Sequence, residues 1–426
     1  MNICMFSNTY LPHVGGVARS VAFFSQDLVD LGHKVLVVAP RFAGAAQSEE
    51  GRVGLLRVPA IQNFNGSDFS VSLGLPHDAG RKITRFRPDL IHTHHPFLLG
   101  DTALRTARRL GLPLVFTHHT LYERYTHYVP LDSKAMQRFA VHLATAYANM
   151  CTQVVAPSQS IADLIRDRGV HRPVKVIPTG VDVAFFRKGN GTRFRQAENI
   201  PRDALVIGHL GRLAPEKNLG YLSKSVGLFM QEEPTARYLV VGKGPSEKEI
   251  AQLFEEKGLS QRLTLAGERV GSDLSDAYKA MDIFVFASTS ETQGMVLVEA
   301  MAAGNPVVAL EAPGAREVVL DGKNGRLLPP QASPAEFSDA VREIAVDKRK
   351  RDEWGHRAIQ TAEAYERKVC AGSLSALYGS LPSGPVSTEE HDHGFVAWES
   401  LLVNIRAEWD LLSQKVEALQ GTVTDL

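Results

Sequence analysis

The sequence predicts an α/β protein of two doubly wound parallel-sheet domains, and three observations carry that prediction. The chain has 426 residues, more than one hydrophobic core usually supports. Short β-branched apolar runs alternate with helix-forming segments, and the alternation occurs twice. Between the two series lies a polar, glycine-containing stretch, 187–202, without apolar periodicity, which reads as a linker. A hydrophobic content of 44% and a charged content of 22% suit an ordinary globular protein. No apolar run reaches the roughly 18 residues that a bilayer span needs.

The first element is a strand over 3–7 rather than a signal peptide, because Met1-Asn2-Ile3-Cys4-Met5-Phe6 lacks a basic leader region. The loop Asn8-Thr9-Tyr10-Leu11-Pro12-His13-Val14-Gly15-Gly16 then enters a helix that runs to about Leu31 and stops at Gly32. A strand over 35–39 completes a βαβ unit. Gly15-Gly16 before a helix suits close approach of a phosphate, yet glycine pairs also mark plain tight turns. The dinucleotide pattern G-x-G-x-x-G is absent there.

Leu90-Ile91-His92-Thr93-His94-His95 and Leu114-Val115-Phe116-Thr117-His118-His119 each read as a strand ending in a polar tip. Ligands of open α/β sheets gather beyond such strand ends. The histidines either act on a ligand or hydrogen-bond their own loops; metal-ligand spacing with Cys or acidic partners is missing. Strands at 154–158 and 174–178 close the first domain. A second series opens at Leu205 and continues through Tyr238, Leu263, Ile283 and Pro306. Cys4, Cys151 and Cys370 are scattered singly, which fits a reducing cytoplasm.

After the fourth strand of that series comes Ser288-Thr289-Ser290-Glu291-Thr292-Gln293-Gly294-Met295-Val296-Leu297-Val298-Glu299. A buried strand, a short polar turn and a helix start is a geometry that points free backbone N–H groups at an anion. Glu291 and Glu299 cannot hold a phosphate, so they should hold neutral hydroxyls such as those of a sugar. The first strand of the same domain runs into Gly211-Arg212-Leu213-Ala214-Pro215-Glu216-Lys217. There Arg212 can fork onto phosphate oxygens and Lys217 adds a point charge. The two patterns together suggest a site for a nucleotide sugar.

Past Pro382-Ser383-Gly384-Pro385, apolar residues recur at 3–4 spacing through Phe395, Trp398, Leu402, Ile405, Trp409, Leu412, Val416 and Leu419. They specify an amphipathic helix over 395–420, suited to self-association as a homodimer or to packing on the body of the protein. Charge is divided: residues 1–190 hold 21 Lys+Arg against 13 Asp+Glu, and the rest of the chain holds 26 against 34. The basic first part suits an anionic lipid surface or substrate, or simply complements an acidic second domain.

On these elements the sequence resembles the family-4 retaining glycosyltransferases of GT-B architecture, over nearly all of 1–382. The residues that carry the resemblance are Glu291 and Glu299 with seven residues between them, Gly211-Arg212 with Lys217, Gly15-Gly16, His119 and the turn Gly242-Lys243-Gly244-Pro245. It implies two Rossmann-like domains facing across a cleft: 1–187 on the acceptor side and 203–364 on the donor side. Residues 365–382 would form a helix returning to the first domain. Glu291, His119, Arg212 and Lys217 become the expected catalytic set. Donor contacts fall to Gly15, Gly16, Gly211, Gly294, Met295, Val296, Leu297 and Glu299, with the base near Gly267, Arg269 and Val270. Glu299 is expected to hold the ribose and Glu291 the donor sugar.

The family keeps the anomeric configuration, commonly explained by a departing phosphate that accepts the acceptor's proton. No cofactor or metal is expected, the donor being a substrate, here uridine diphosphate glucose. The segments around Tyr10, Arg19 and 120–128 resemble the branch that glycosylates diacylglycerol-type or phosphatidylinositol-type lipids. A lipid acceptor therefore stands beside a soluble or lipid-linked saccharide, and nucleic acid is not an expected partner. The expected location is cytoplasmic, at the inner face of the membrane, with contact through the N-terminal domain. A non-catalytic nucleotide-sugar-binding protein is the reading from a different class.

Overall fold

The structure is a computed structural model that describes residues 1–13, 15–42, 51–61, 71–72, 77–124, 134–288 and 291–382. The expected helix at 395–420 lies outside them.

The first domain begins with β1 (Asn2–Phe6), α1 (Gly16–Asp30), β2 (Lys34–Pro40) and β3 (Gly54–Val58), followed by the short pair β4 (Ala60–Ile61) and β5 (Val71–Ser72). It continues with α2 (His77–Phe86), β6 (Leu90–Thr93), α3 (Leu99–Leu110), β7 (Leu114–Thr117), α4 (Lys134–Asn149), β8 (Gln153–Ala156), α5 (Gln159–Asp167) and β9 (Val174–Val176). Among the described residues these build a parallel sheet in the order β3-β2-β1-β6-β7-β8-β9. The strands β6, β7 and β8 are buried along their whole length, as expected of a sheet with helices on both faces.

The second domain holds α6 (Val183–Arg187), α7 (Gly191–Ala197), β10 (Leu205–Leu210), α8 (Leu219–Glu232), β11 (Ala236–Val241), α9 (Glu247–Glu256), β12 (Leu263–Gly267), α10 (Ser272–Lys279) and β13 (Ile283–Phe286). Then come α11 (Met295–Ala302), β14 (Val307–Leu310), α12 (Pro313–Arg316), β15 (Gly325–Leu328), α13 (Pro334–Ala345) and α14 (Lys348–Glu363). The sheet order is β12-β11-β10-β13-β14-β15, again parallel. Each sheet reverses its winding at one point, between β1 and β6 and between β10 and β13. Those points are where doubly wound sheets open a ligand crevice.

The stretch 187–202 is not a free linker. It contains α7, and Phe194 and Ile200 are buried in the same core as Val183, Phe186 and Tyr278 of the second domain. With Phe194 as its one buried side chain, so short a helix gives no periodicity to read. The chain crosses between Ile177, in the first core, and Val181, in the second. It crosses back beside that point: Val181 N–H donates to Tyr365 O (2.8 Å) and Val183 N–H to Glu366 Oε2 (3.1 Å). Gly180 permits this contact, since a Cβ there would stand 2.3 Å from Arg367 Cα. Beyond the second crossing, α15 (Arg367–Gly379) packs on α1, with Arg367 forked onto Asp27 at 3.0 and 2.6 Å.

At the end of α15 the buried Tyr378 hydroxyl meets His92 Nδ1 at 2.6 Å, while His92 Nε2 meets Thr117 Oγ1 at 2.7 Å. Tyr378→Phe strands a ring nitrogen away from water, which costs about 1–3 kcal/mol. In urea melts followed by tryptophan-independent circular dichroism, the variant should unfold at lower denaturant with an unchanged slope. An unshifted midpoint would show that this bond does not secure the returning helix.

Candidate functional site

The site is built at the carboxyl ends of β10 and β13. The loop after β10 is held against the loop after β11, with Gly211 N–H donating to Val241 O (3.0 Å) and Leu213 N–H to Lys243 O (2.9 Å). Gly242 and Gly244 permit this approach, since a Cβ there would stand 1.9 Å from Gly211 O or 2.3 Å from Leu213 O. Arg212 is half-exposed and ion-paired with Glu216. Lys217, in the short 3₁₀ turn Pro215–Lys217, reaches across to Glu291 and pairs with it; both side chains are mostly covered. Two strand ends therefore bring together a cation and a carboxylate that are 74 positions apart.

The turn from Glu291 ends at Gly294, whose φ of 72° is left-handed and favours glycine. The turn is pinned from below by Gly314 N–H donating to Glu291 O (3.1 Å). Helix α11 starts here with no side-chain cap. Of the four amides expected to face a ligand, that of Leu297 is used inside the helix, donating to Gly294 O at 2.9 Å. The amides of Gly294, Met295 and Val296 are the ones a first turn leaves for an anion.

Just over one turn into α11 lies Glu299, 1% exposed. Its Oε2 accepts from Tyr278 Oη and its Oε1 from Arg19 Nη2, both at 2.7 Å. Tyr278 belongs to α10, but Arg19 belongs to α1 of the other domain. Burial, then the Glu299 charge, pushes the Tyr278 phenol well above its ordinary value, so it remains a donor. The Glu299 charge also raises the Arg19 guanidinium. The contact sets the start of α1 opposite α11. Gly16 is the first residue of α1 behind the extended Gly15, and a Cβ on Gly16 would meet nothing within 4 Å.

At the tips of β6 and β7 the histidines pair with one another. His94 Nδ1 and His119 Nε2 share a hydrogen bond at 2.9 Å, their rings nearly parallel. His119 also accepts, at its carbonyl, the Thr292 hydroxyl of the second domain (2.9 Å). Among the described residues no three His, Cys, Asp or Glu side chains come together in a metal-holding group. On the far flank, Gly267 O accepts from Gly242 N–H (2.9 Å), Arg269 pairs with Glu198 and stacks over Phe194, and Val270 is 71% exposed. The misread stretch 187–202 is thus a brace for the expected base-binding loop.

Several residues that complete the site carry no individual signal in the sequence. Gln293 makes a two-point contact with the backbone of Thr179, accepting its N–H (2.8 Å) and donating to its carbonyl (2.7 Å). Ser158 donates to Thr292 O (2.7 Å), and Ser160 donates twice to Glu317. Arg19 and Gln293 could have been suspected, since one lies a helical turn beyond Gly16 and the other between Glu291 and Gly294. Nothing in the sequence links Tyr278 to Glu299 or Ser158 to Thr292.

Residues 14–185 match the domain family Glycosyltransferase Family 4, and residues 191–361 match Glycosyl transferases group 1. The chain is 30% identical over 340 residues to the alpha-monoglucosyldiacylglycerol synthase of Acholeplasma laidlawii, covering 76% of this chain and 84% of that protein. It is also 30% identical over 345 residues to a GDP-mannose-dependent alpha-mannosyltransferase of Corynebacterium glutamicum, covering 77% and 76%. The Anabaena HepE crystal structure in complex with UDP superposes with a TM-score of 0.72 at 23% identity, covering 89% of this chain and all of that one. At that identity the likeness speaks for the two-domain fold.

The histidines give the site a pH signature. Burial lowers the rings of His92 and His95 to about 3 and that of His118 to about 4. Burial first, then neighbouring rings, holds His94 and His119 well below the ordinary value. In the unfolded chain each takes a proton below about pH 6.5. Their contribution is therefore full above that pH and is lost as pH falls toward the folded values. Stability should be level near pH 7–8 and decline below pH 6.5, by about 1.4 kcal/mol per pH unit for each ring kept neutral. Urea melts at stepped pH measure it, and His95→Gln should remove one ring's share of the slope.

Proposed function

The chain belongs to glycosyltransferase family 4, and we propose that it moves glucose from uridine diphosphate glucose to the hydroxyl of a diacylglycerol-type membrane lipid, with retention of configuration. The observation that carries this reading is the meeting of Lys217, Glu291 and the start of α11 at the switch point of the second sheet. The lipid acceptor is supported by the similarity to a monoglucosyldiacylglycerol synthase. Contact with an anionic membrane surface through the basic N-terminal domain is proposed on the same footing. No described helix is long and apolar enough to cross a membrane.

In this reading the diphosphate lies between the first-turn amides of α11 and the Gly16 amide, with Arg212 and Lys217 as counter-charges. An incoming phosphate competes with Glu291 for Lys217, and the carboxylate so released accepts hydroxyls of the donor sugar. The sugar's reacting carbon faces the His94–His119 pair, whose rings stay neutral near pH 7 and so do not add cationic charge there. His94 fixes the ring of His119, and Thr292 fixes its backbone. Glu299 takes the ribose hydroxyls. As the bond to the sugar breaks, the cationic cradle stabilises the charge on the departing diphosphate, with no metal required in this scheme.

Radiolabelled uridine diphosphate glucose and guanosine diphosphate mannose, each offered to vesicles containing diacylglycerol, test the reading. Transfer of glucose to lipid is the expected result; mannose transfer alone would replace the donor, and transfer to neither would remove the lipid acceptor. Glu291→Ala should lower transfer by about 10²–10³-fold, the scale of losing one preorganised contact to the reacting group, with the melting profile unchanged. Wild-type turnover in that variant would overturn the site.

A further inference from the structure

Arg19 reaches from the N-terminal domain to a carboxylate that the second domain buries. Glu299 has about four lone-pair positions. Tyr278 occupies one on Oε2 and Arg19 one on Oε1, which leaves acceptor capacity on each oxygen for hydroxyls that enter when the cleft, here closed over Glu299 at 1% exposure, admits a ligand. That is the pattern two neighbouring hydroxyls fit, one bond to each oxygen. Arg19 is itself supported: its guanidinium lies 5.7 Å from the Phe23 ring centroid, and Arg367 covers the same ring at 4.2 Å while gripping Asp27. The arginine therefore stands on a braced part of α1 where that helix meets α15. Without it Glu299 would keep the Tyr278 bond on Oε2, and no named contact would hold Oε1 in place across the cleft.

We propose that Arg19 is a positioning residue for the nucleotide's ribose, holding Glu299 across the cleft in the orientation that accepts both ribose hydroxyls. The proposal rests on the reading of Glu299 as the ribose acceptor. It makes ribose recognition a property of the closed domain pair, since the second domain alone supplies only Tyr278. A nucleotide that uses both hydroxyls then binds better to the closed form than to the open one, and its binding draws the domains together.

The test compares binding of uridine and guanosine diphosphates with that of their 2′-deoxy and 3′-deoxy analogues, by calorimetry on the full chain. Wild type should prefer the ribose form by about 10–100-fold, the range for one hydrogen bond to a charged group. Glu299→Gln should lose most of that preference. Arg19→Met should cut it to less than about threefold in a chain that keeps its far-UV circular dichroism, and Arg19→Lys should restore part of it. A wild type indifferent to the ribose hydroxyls would overturn the reading of Glu299 and this proposal with it. A preference lost in Glu299→Gln but kept in Arg19→Met and Arg19→Lys would overturn the role of Arg19 alone. Tighter binding of the ribose form by Arg19→Met would also overturn it, because the arginine would then be occupying the ribose position.

Discussion

The side-chain amide of Gln293 stands in for a peptide group. It takes the N–H and the carbonyl of Thr179 at 2.8 and 2.7 Å, as a neighbouring strand would. Thr179 lies on the segment where the chain passes between domains, and its hydroxyl meets Ser20 of α1 at 2.7 Å. One buried amide therefore fixes three things together: the donor-side turn, the interdomain crossing and the helix behind the glycine loop. A glutamate there would face the Thr179 carbonyl with a second acceptor in place of a donor, and that bond would be lost. The donor-side turn takes its place against the first domain from this contact.

Charge in the cleft is arranged in pairs drawn from distant positions. Lys217 meets Glu291, Arg19 meets Glu299, and Arg269 meets Glu198. None of the three pairs joins two residues of one helix, so each depends on the tertiary fold for its geometry. Such pairs are partly or largely removed from water, where an unpaired carboxylate is costly. Surface pairs along single helices, such as Lys348 with Asp352, lack that constraint and contribute little.

How far the sequence could be read follows from which signals are local. Alternating apolar runs announced the strands that are buried throughout, and a glycine followed by helix formers announced α11. Strand β3, whose burial alternates, and β15, with two half-buried residues, give weaker runs and escape notice. The helix in 187–202 escapes because Phe194 is its one buried side chain and its other anchors are arginines and a glycine. In the site, Glu291, Glu299, Arg212 and Lys217 were readable as candidates because a nucleotide sugar calls for those residue types near a strand end. Their partners were not: a sequence states which residue occupies a position, and only the fold states that Tyr278 and Arg19 converge on Glu299.

The two crossings lie side by side, so the chain joins the domains along one short line about which a bend would be least resisted. Val181 and Tyr365 are joined there by a backbone hydrogen bond, and Thr179 is two residues away. Contacts on that line, including the Gln293 bridge, survive a bend with small adjustments. Contacts carried by side chains that span the cleft, Arg19 to Glu299 and Thr292 to the His119 carbonyl, must lengthen or break. The fold therefore separates what must stay constant from what must change. The donor-side turn is tied to the crossing through Gln293, while the contacts of Glu299 with Arg19 and of His119 with Thr292 exist only where the two domains meet. Ligand binding at the first can then be converted into assembly of the second, using contacts that exist in one domain arrangement and not in the other.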